Sequence, residues 1–238
     1  MNENCFCGSG LEQSQCHPDI HKDSVIAKTY NLYDRLENTV KDYFENNNVE
    51  SYCRAGCSHC CYDFFPISDI EFDIIIKELE GWSKNKFNRF KQRAESYWSK
   101  FEKKYPNMAY DLQVQKHTSN QLINEIDRVD ILNKTSIPCP FLDKQGKCSI
   151  YNVRPFICRS FGTTKINVDL GVVNYNLCEL INSQGDYDKE KFVEATKLTN
   201  ESEELLNVIF DDKTNSRHMK RKAPILYQAY RHFIKYNV

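Results

Sequence analysis

Apolar side chains recur at three- and four-residue spacing along much of this 238-residue chain, the mark of amphipathic helices rather than strands. Val25, Ile26, Tyr30, Tyr33, Leu36, Val40, Tyr43 and Phe44 follow a capping candidate at Asp23 or Ser24 and give way to Asn46-Asn47-Asn48, predicting a helix with an aromatic core stripe. Ser68-Asp69-Ile70-Glu71 reads as a capping box that opens a helix to about Leu79, with Gly81 as its stop. Phe87, Phe90, Ala94, Tyr97, Trp98, Phe101 and Tyr105 predict a longer helix ended by Pro106, and Leu122, Ile123, Ile126, Val129 and Leu132 suggest another. The period breaks near residues 141 to 151, where Lys144-Gln145-Gly146 lies between two short apolar runs, a hairpin signature. Pro155 then suits the first turn of a short helix. The fold class these patterns predict is predominantly α, with one short β-hairpin and a small, irregular cysteine-rich centre.

Composition changes this picture through one residue type. Eleven cysteines fall into three clusters, and four thiols within the nine residues Cys53 to Cys61 far exceed what packing requires. Met1 to Gly10 has neither a basic n-region nor an apolar h-region, and no run approaches the length of a membrane span, so the expected location is cytoplasmic. Thiols stay reduced there, which favours metal binding or catalysis over disulfides. The formal net charge of −1 recommends neither nucleic acid nor a membrane as partner. The basic run Arg217-His218-Met219-Lys220-Arg221-Lys222 reads as solvated surface.

The N-terminal cluster sets Cys5 and Cys7 two apart and Cys16-His17 after an eight-residue gap. Three thiolates and an imidazole make a Cys₃His set suited to structural zinc, and Gly8-Ser9-Gly10 allows the turn that closes it. Spacing, Gly-Ser-Gly and the final His resemble the SEC-C zinc motif, whose basic residues are here replaced by Leu11-Glu12-Gln13-Ser14-Gln15. We therefore divide the chain into a zinc knuckle at 1–22 and a cysteine-cluster metal-binding domain at 23–238.

In the main cluster, Cys57-Ser58-His59-Cys60 is a C-x₂-C knuckle, and Cys53 would share a face with Cys57 on a helical turn. Adjacent Cys60 and Cys61 diverge in direction, so they serve different ions or one is a buried thiol. His59 is read as a supporting or surface residue. Cys139, Cys148, Cys158 and Cys178 form the second quartet, the first two on or beside the hairpin arms. The ordered motifs C-x₃-C-x₂-C-C, C-P-F-L, G-K-C-S-I-Y, R-P-x-x-C-R and a last cysteine, from about Tyr52 to Cys178, resemble the YkgJ-type CxxCxxCC cysteine-cluster family. That resemblance implies zinc or iron chelation, with iron–sulfur oxidoreductases among the relatives.

Eight thiolates on one Zn²⁺ would leave a net charge of about −6, which no protein interior tolerates. The expectation is two metal centres, or one centre with about four thiolates and the rest protonated. Zinc and a [4Fe–4S] cluster both remain open for the main domain. Arg54, Lys147, Arg154 and Arg159 stand beside the cysteines as candidates to offset residual negative charge. Geometry in sequence suggests that Cys53, Cys57, Cys60 and at least one of Cys139, Cys148 and Cys158 hold the same metal. No phosphate loop, H-E-x-x-H or nucleophile elbow occurs, which favours a metal-binding protein acting through another protein. The alternative is an iron–sulfur enzyme resembling flagellin lysine methylases, with Tyr62, Phe64, Phe65 and Tyr151 near its substrate, although core packing is the commoner use of such aromatics.

Overall fold

The structure, a computed structural model, describes residues 4–53, 56–114, 137–168, 172–177, 181, 188–211, 216–219 and 222–236. In chain order its helices are α1 (Gln13–Cys16), α2 (Val25–Asn47), α3 (Asp69–Glu80), α4 (Lys84–Lys104), α5 (Pro106–Val114), α6 (Phe156–Ser160), α7 (Thr196–Asn207) and α8 (Ile225–Tyr230). Its strands are β1 (Pro66–Ser68), β2 (Thr164–Val168), β3 (Val172–Tyr175), β4 (Val193–Glu194), β5 (Val208–Asp211), β6 (Ser216–Met219) and β7 (Lys222–Pro224). The protein is mostly helical with small sheets, as the periodicity predicts. No described helix is long and apolar enough to cross a membrane. The helix expected over Leu122 to Leu132 lies outside the described residues.

Local chemistry explains the helix ends. Ser24 is the N-cap of α2, accepting from the Ala27 N–H at 3.1 Å, and Asn48 ends the helix in the left-handed conformation that asparagine tolerates. At α3 the capping box is complete: the Glu71 N–H reaches the Ser68 hydroxyl at 3.2 Å, and the Glu71 carboxylate accepts from the Ser68 N–H at 2.9 Å. Gly81 does end α3, but with right-handed backbone, so its left-handed freedom is not what stops the helix. Pro106 follows the end of α4 and also opens α5, since a proline loses nothing at a first helical position.

Two compact units emerge, Met1–Arg54 with Pro155–Leu206, and Ala55–Arg154 with Asn207–Val238. In the first, α2 packs on α6 and β4, burying Leu32, Tyr33 and Leu36. Strand β2 lies between β3, antiparallel, and β4, parallel, beside a small core of Ile181 and Phe192 with Tyr52, Phe161, Tyr175 and Leu177. In the second, β1 pairs antiparallel with β7 from Pro66↔Pro224 to Ser68↔Lys222, and α4 packs on α5 and α8. Phe64, Trp98, Phe101, Ala109, Leu112, Ile137, Ala223, Leu226 and Tyr227 form its core. Phe90 stacks on Phe141 with centroids 4.7 Å apart, anchoring the hairpin segment to α4. Each fully buried ring of this kind stabilises by roughly 1.5–3 kcal/mol.

Candidate metal centres

In the first unit the knuckle closes as a loop on itself. The Cys5 N–H donates to Leu11 O at 2.8 Å beside the Asn4↔Glu12 bridge, and the Gly8 N–H turns back to Cys5 O at 3.2 Å. One helical turn, α1, then delivers Cys16 and His17 through bonds from Cys16 N–H to Glu12 O and from His17 N–H to Gln13 O. The ligand atoms of Cys5, Cys7, Cys16 and His17 all lie within 4.8 Å of one another. Cys5 Sγ is 3.1 Å from His17 Nδ1, and Cys7 Sγ is 3.5 Å from Cys16 Sγ. Tetrahedral zinc at about 2.3 Å from sulfur and about 2.0 Å from nitrogen sets its ligand atoms roughly 3.5–3.8 Å apart, so this donor set fits the ion.

The surroundings tune the thiols. Burial pushes the Cys5 thiol up to about 12, with the neighbouring Cys7 and Cys16 thiols adding to the rise. At Cys7 burial also opposes ionisation, but hydrogen bonds from the Ser9 hydroxyl and N–H and from the Cys5 and Cys16 thiols outweigh it and lower its pKa. Ligation by Cys5 would therefore require it to give up a proton that its surroundings hold. Three contributors escape a reading of spacing alone. Ser9 Oγ lies 3.3 Å from Cys16 Sγ, Tyr30 of α2 meets the His17 ring at 4.8 Å, and Asp34 of α2 stands where a Gly8 side chain would go. Tyr30 was legible only as part of the core stripe, which it also is.

The second unit holds Cys57, Cys60, Cys61, Cys139 and Cys148, all half-buried. A 3₁₀ turn, His59–Tyr62, carries Cys60 and Cys61, and the Cys139 N–H donates to Cys61 O at 2.6 Å, tying the two cysteine segments together. The expected hairpin is present as a tight turn with the bridge Leu142↔Cys148 and bonds from the Asp143 N–H to Lys147 O and from the Ser149 N–H to Phe141 O. Gly146 takes the left-handed conformation of that turn. Its hydrogen bond with Cys61 pushes the Cys60 thiol well up, followed by burial and by the charges of Cys61, Asp63 and Cys57. Cys60 therefore senses both Cys57 and Cys61 electrostatically. Among the described residues, however, the knuckle alone brings three or more ligand atoms into one shell, and these five thiols do not converge in that way.

Cys53 and Cys158 are half-buried in the first unit, Cys158 on α6 as predicted, while Cys178 and Arg54 lie outside the described residues. His59 is exposed, as a surface role requires. The Arg159 side chain is only 3 % exposed, pairs with Glu37 and lies 4.3 Å over the Tyr33 ring. Its charge belongs to the core of the first unit. Arg154 covers the Tyr151 ring at 3.9 Å, and Lys147 is exposed. Of the aromatics near the cluster, Phe64 is core, whereas Tyr62 and Tyr151 are partly exposed.

Residues 52–197, more than half of the chain, match the CxxCxxCC family model, described as "Putative zinc- or iron-chelating domain". No curated protein and no solved structure matches the chain.

Proposed function

The chain belongs to the CxxCxxCC family of zinc- or iron-chelating domains, and from that premise we propose that it is a metal-binding protein with two separate centres. The first is a SEC-C-like knuckle that holds one zinc through Cys5, Cys7, Cys16 and His17. The second is a YkgJ-type centre that takes zinc or iron on thiols of the second unit, drawn from Cys57, Cys60, Cys61, Cys139 and Cys148. The observation that carries this reading is the convergence of four donors suited to zinc, three thiols and an imidazole, within 4.8 Å at the knuckle.

The metals' role in this reading is structural. Zinc would replace the missing core of a segment too short to fold alone, and its binding free energy would become folding free energy. Phe6 stacked on His17 at 5.3 Å, and both rings against Tyr30, supply the apolar wall that shields such a site. The domain would then act by presenting its ordered surface to another protein. Anaerobic purification followed by zinc, iron and acid-labile sulfide analysis tests the assignment. The expected result is one zinc plus a second metal per chain. Acid-labile sulfide would make the second centre an iron–sulfur cluster, and protein purified without zinc would overturn the reading.

A further inference from the structure

A cavity of about 380 Å³ opens in the second unit between α4 and the hairpin turn. Helix α4 contributes Lys86, Arg89 and Arg93, and the turn contributes Lys144, Gln145 and Ser149. The three helix cations stand at i, i+3 and i+7, a spacing that puts them on one face, so they point to the same space as Lys144. The Arg93 Nε–H donates to Pro140 O at 3.1 Å, which fixes the plane of that guanidinium. Lys86 is held by the Trp82 ring, 3.6 Å beneath its Nζ. Asp143, the one carboxylate among the described lining residues, is committed to the turn itself, its Oδ1 accepting from the N–H groups of Gln145 and Lys147 at 2.9 and 2.8 Å.

Four cations converge on one cavity, and among the described lining residues the single carboxylate is already occupied by backbone donors. We propose that this cavity binds a phosphate-type oxyanion, carried by a small phosphorylated molecule. Arginine forks match tetrahedral oxyanions through paired hydrogen bonds, and the Ser149 hydroxyl and Gln145 amide add neutral donors of the kind phosphate sites use. The volume is that of a small-molecule site, and among the described lining residues there is no aromatic ring to take a nucleobase. The site is distinct in chemistry from the thiols, although Cys139 and Cys148 lie on the same hairpin.

Calorimetric titration of the full-length, metal-loaded protein with inorganic phosphate tests this, with chloride holding ionic strength constant. A saturable one-site isotherm is expected. Arg89 and Lys144 are exposed, so Arg89→Gln and Lys144→Gln leave the fold in place. Each should weaken phosphate binding by about tenfold or more, with metal content unchanged. A flat isotherm for the unmutated protein, an unchanged isotherm for the double variant, or loss of binding only together with metal would each overturn the proposal.

Discussion

Substituting the two glycines of the knuckle separates backbone strain from contact, because the structure places both in the same conformation but in different surroundings. Gly8 and Gly10 both have φ of 75°, where an L-residue pays about 1–2 kcal/mol. A Cβ at Gly10 meets nothing within 4 Å, so Gly10→Ala should carry that strain alone. At Gly8 the added methyl would run into the Asp34 carboxylate on α2. Asp34 is short and sits on a helix, so swinging it aside costs about a further 0.5–1.5 kcal/mol. Where folding of the knuckle is driven by metal, both penalties appear as lost zinc affinity. The expected weakening is about 5–30-fold for Gly10→Ala and about 2–12-fold beyond that for Gly8→Ala. Competition for zinc against a chromophoric chelator on the full-length protein reads these directly. Adding Asp34→Ala to Gly8→Ala should return affinity to the level of Gly10→Ala. Equal affinities for the two single variants, or a Gly8→Ala penalty that survives Asp34→Ala, would refute the reasoning.

Four further outcomes follow from the same structure. The protonated Cys5 thiol must release its proton to ligate, so zinc affinity should rise between about pH 6 and about pH 8, by up to tenfold per pH unit for each proton released, as calorimetry in buffers of different ionisation enthalpy would show. The metal-free fold has the opposite sign: a raised Cys5 pKa stabilises it below the ordinary thiol range and that contribution is lost as pH climbs through about 12. Glu37→Ala should destabilise the first unit by about 2 kcal/mol in urea unfolding, because it removes the carboxylate that pairs with the buried Arg159 guanidinium, the full cost of a buried pair being reduced by the 45 % exposure of Glu37. Ser68→Ala should cost about 1–2 kcal/mol by removing the cap of α3, and wild-type stability in that variant would show the capping box to be idle.

Much of this organisation is legible in the sequence wherever the cause is local. Ser24, Asn48 and the Ser68–Glu71 box mark their helix ends because a cap is a contact between near neighbours. The knuckle is readable for the same reason, its four donors spanning thirteen residues that one turn can gather. Contacts between remote segments leave no such trace. Nothing in Pro66 to Ser68 announces a partner at Lys222 to Pro224, and the parallel pairing of Thr164 with Val193 joins strands too short to show alternation. Arg159 looked like a cation beside a thiolate because Cys158 is its neighbour in sequence, whereas Glu37, its actual partner, is 122 residues away. The main cysteines are similarly split: their clustering in sequence signals chelation, but which thiols share a shell depends on how distant segments fold.

The central claim is a zinc ion on Cys5, Cys7, Cys16 and His17, independent of the main cysteines. X-ray absorption at the zinc edge of a Cys57→Ser/Cys60→Ser variant tests it most directly, since that variant leaves every proposed knuckle ligand in place. The account predicts one zinc per chain with three sulfur neighbours at about 2.3 Å and one nitrogen at about 2.0 Å. A four-sulfur shell, or a variant without bound zinc, would contradict it.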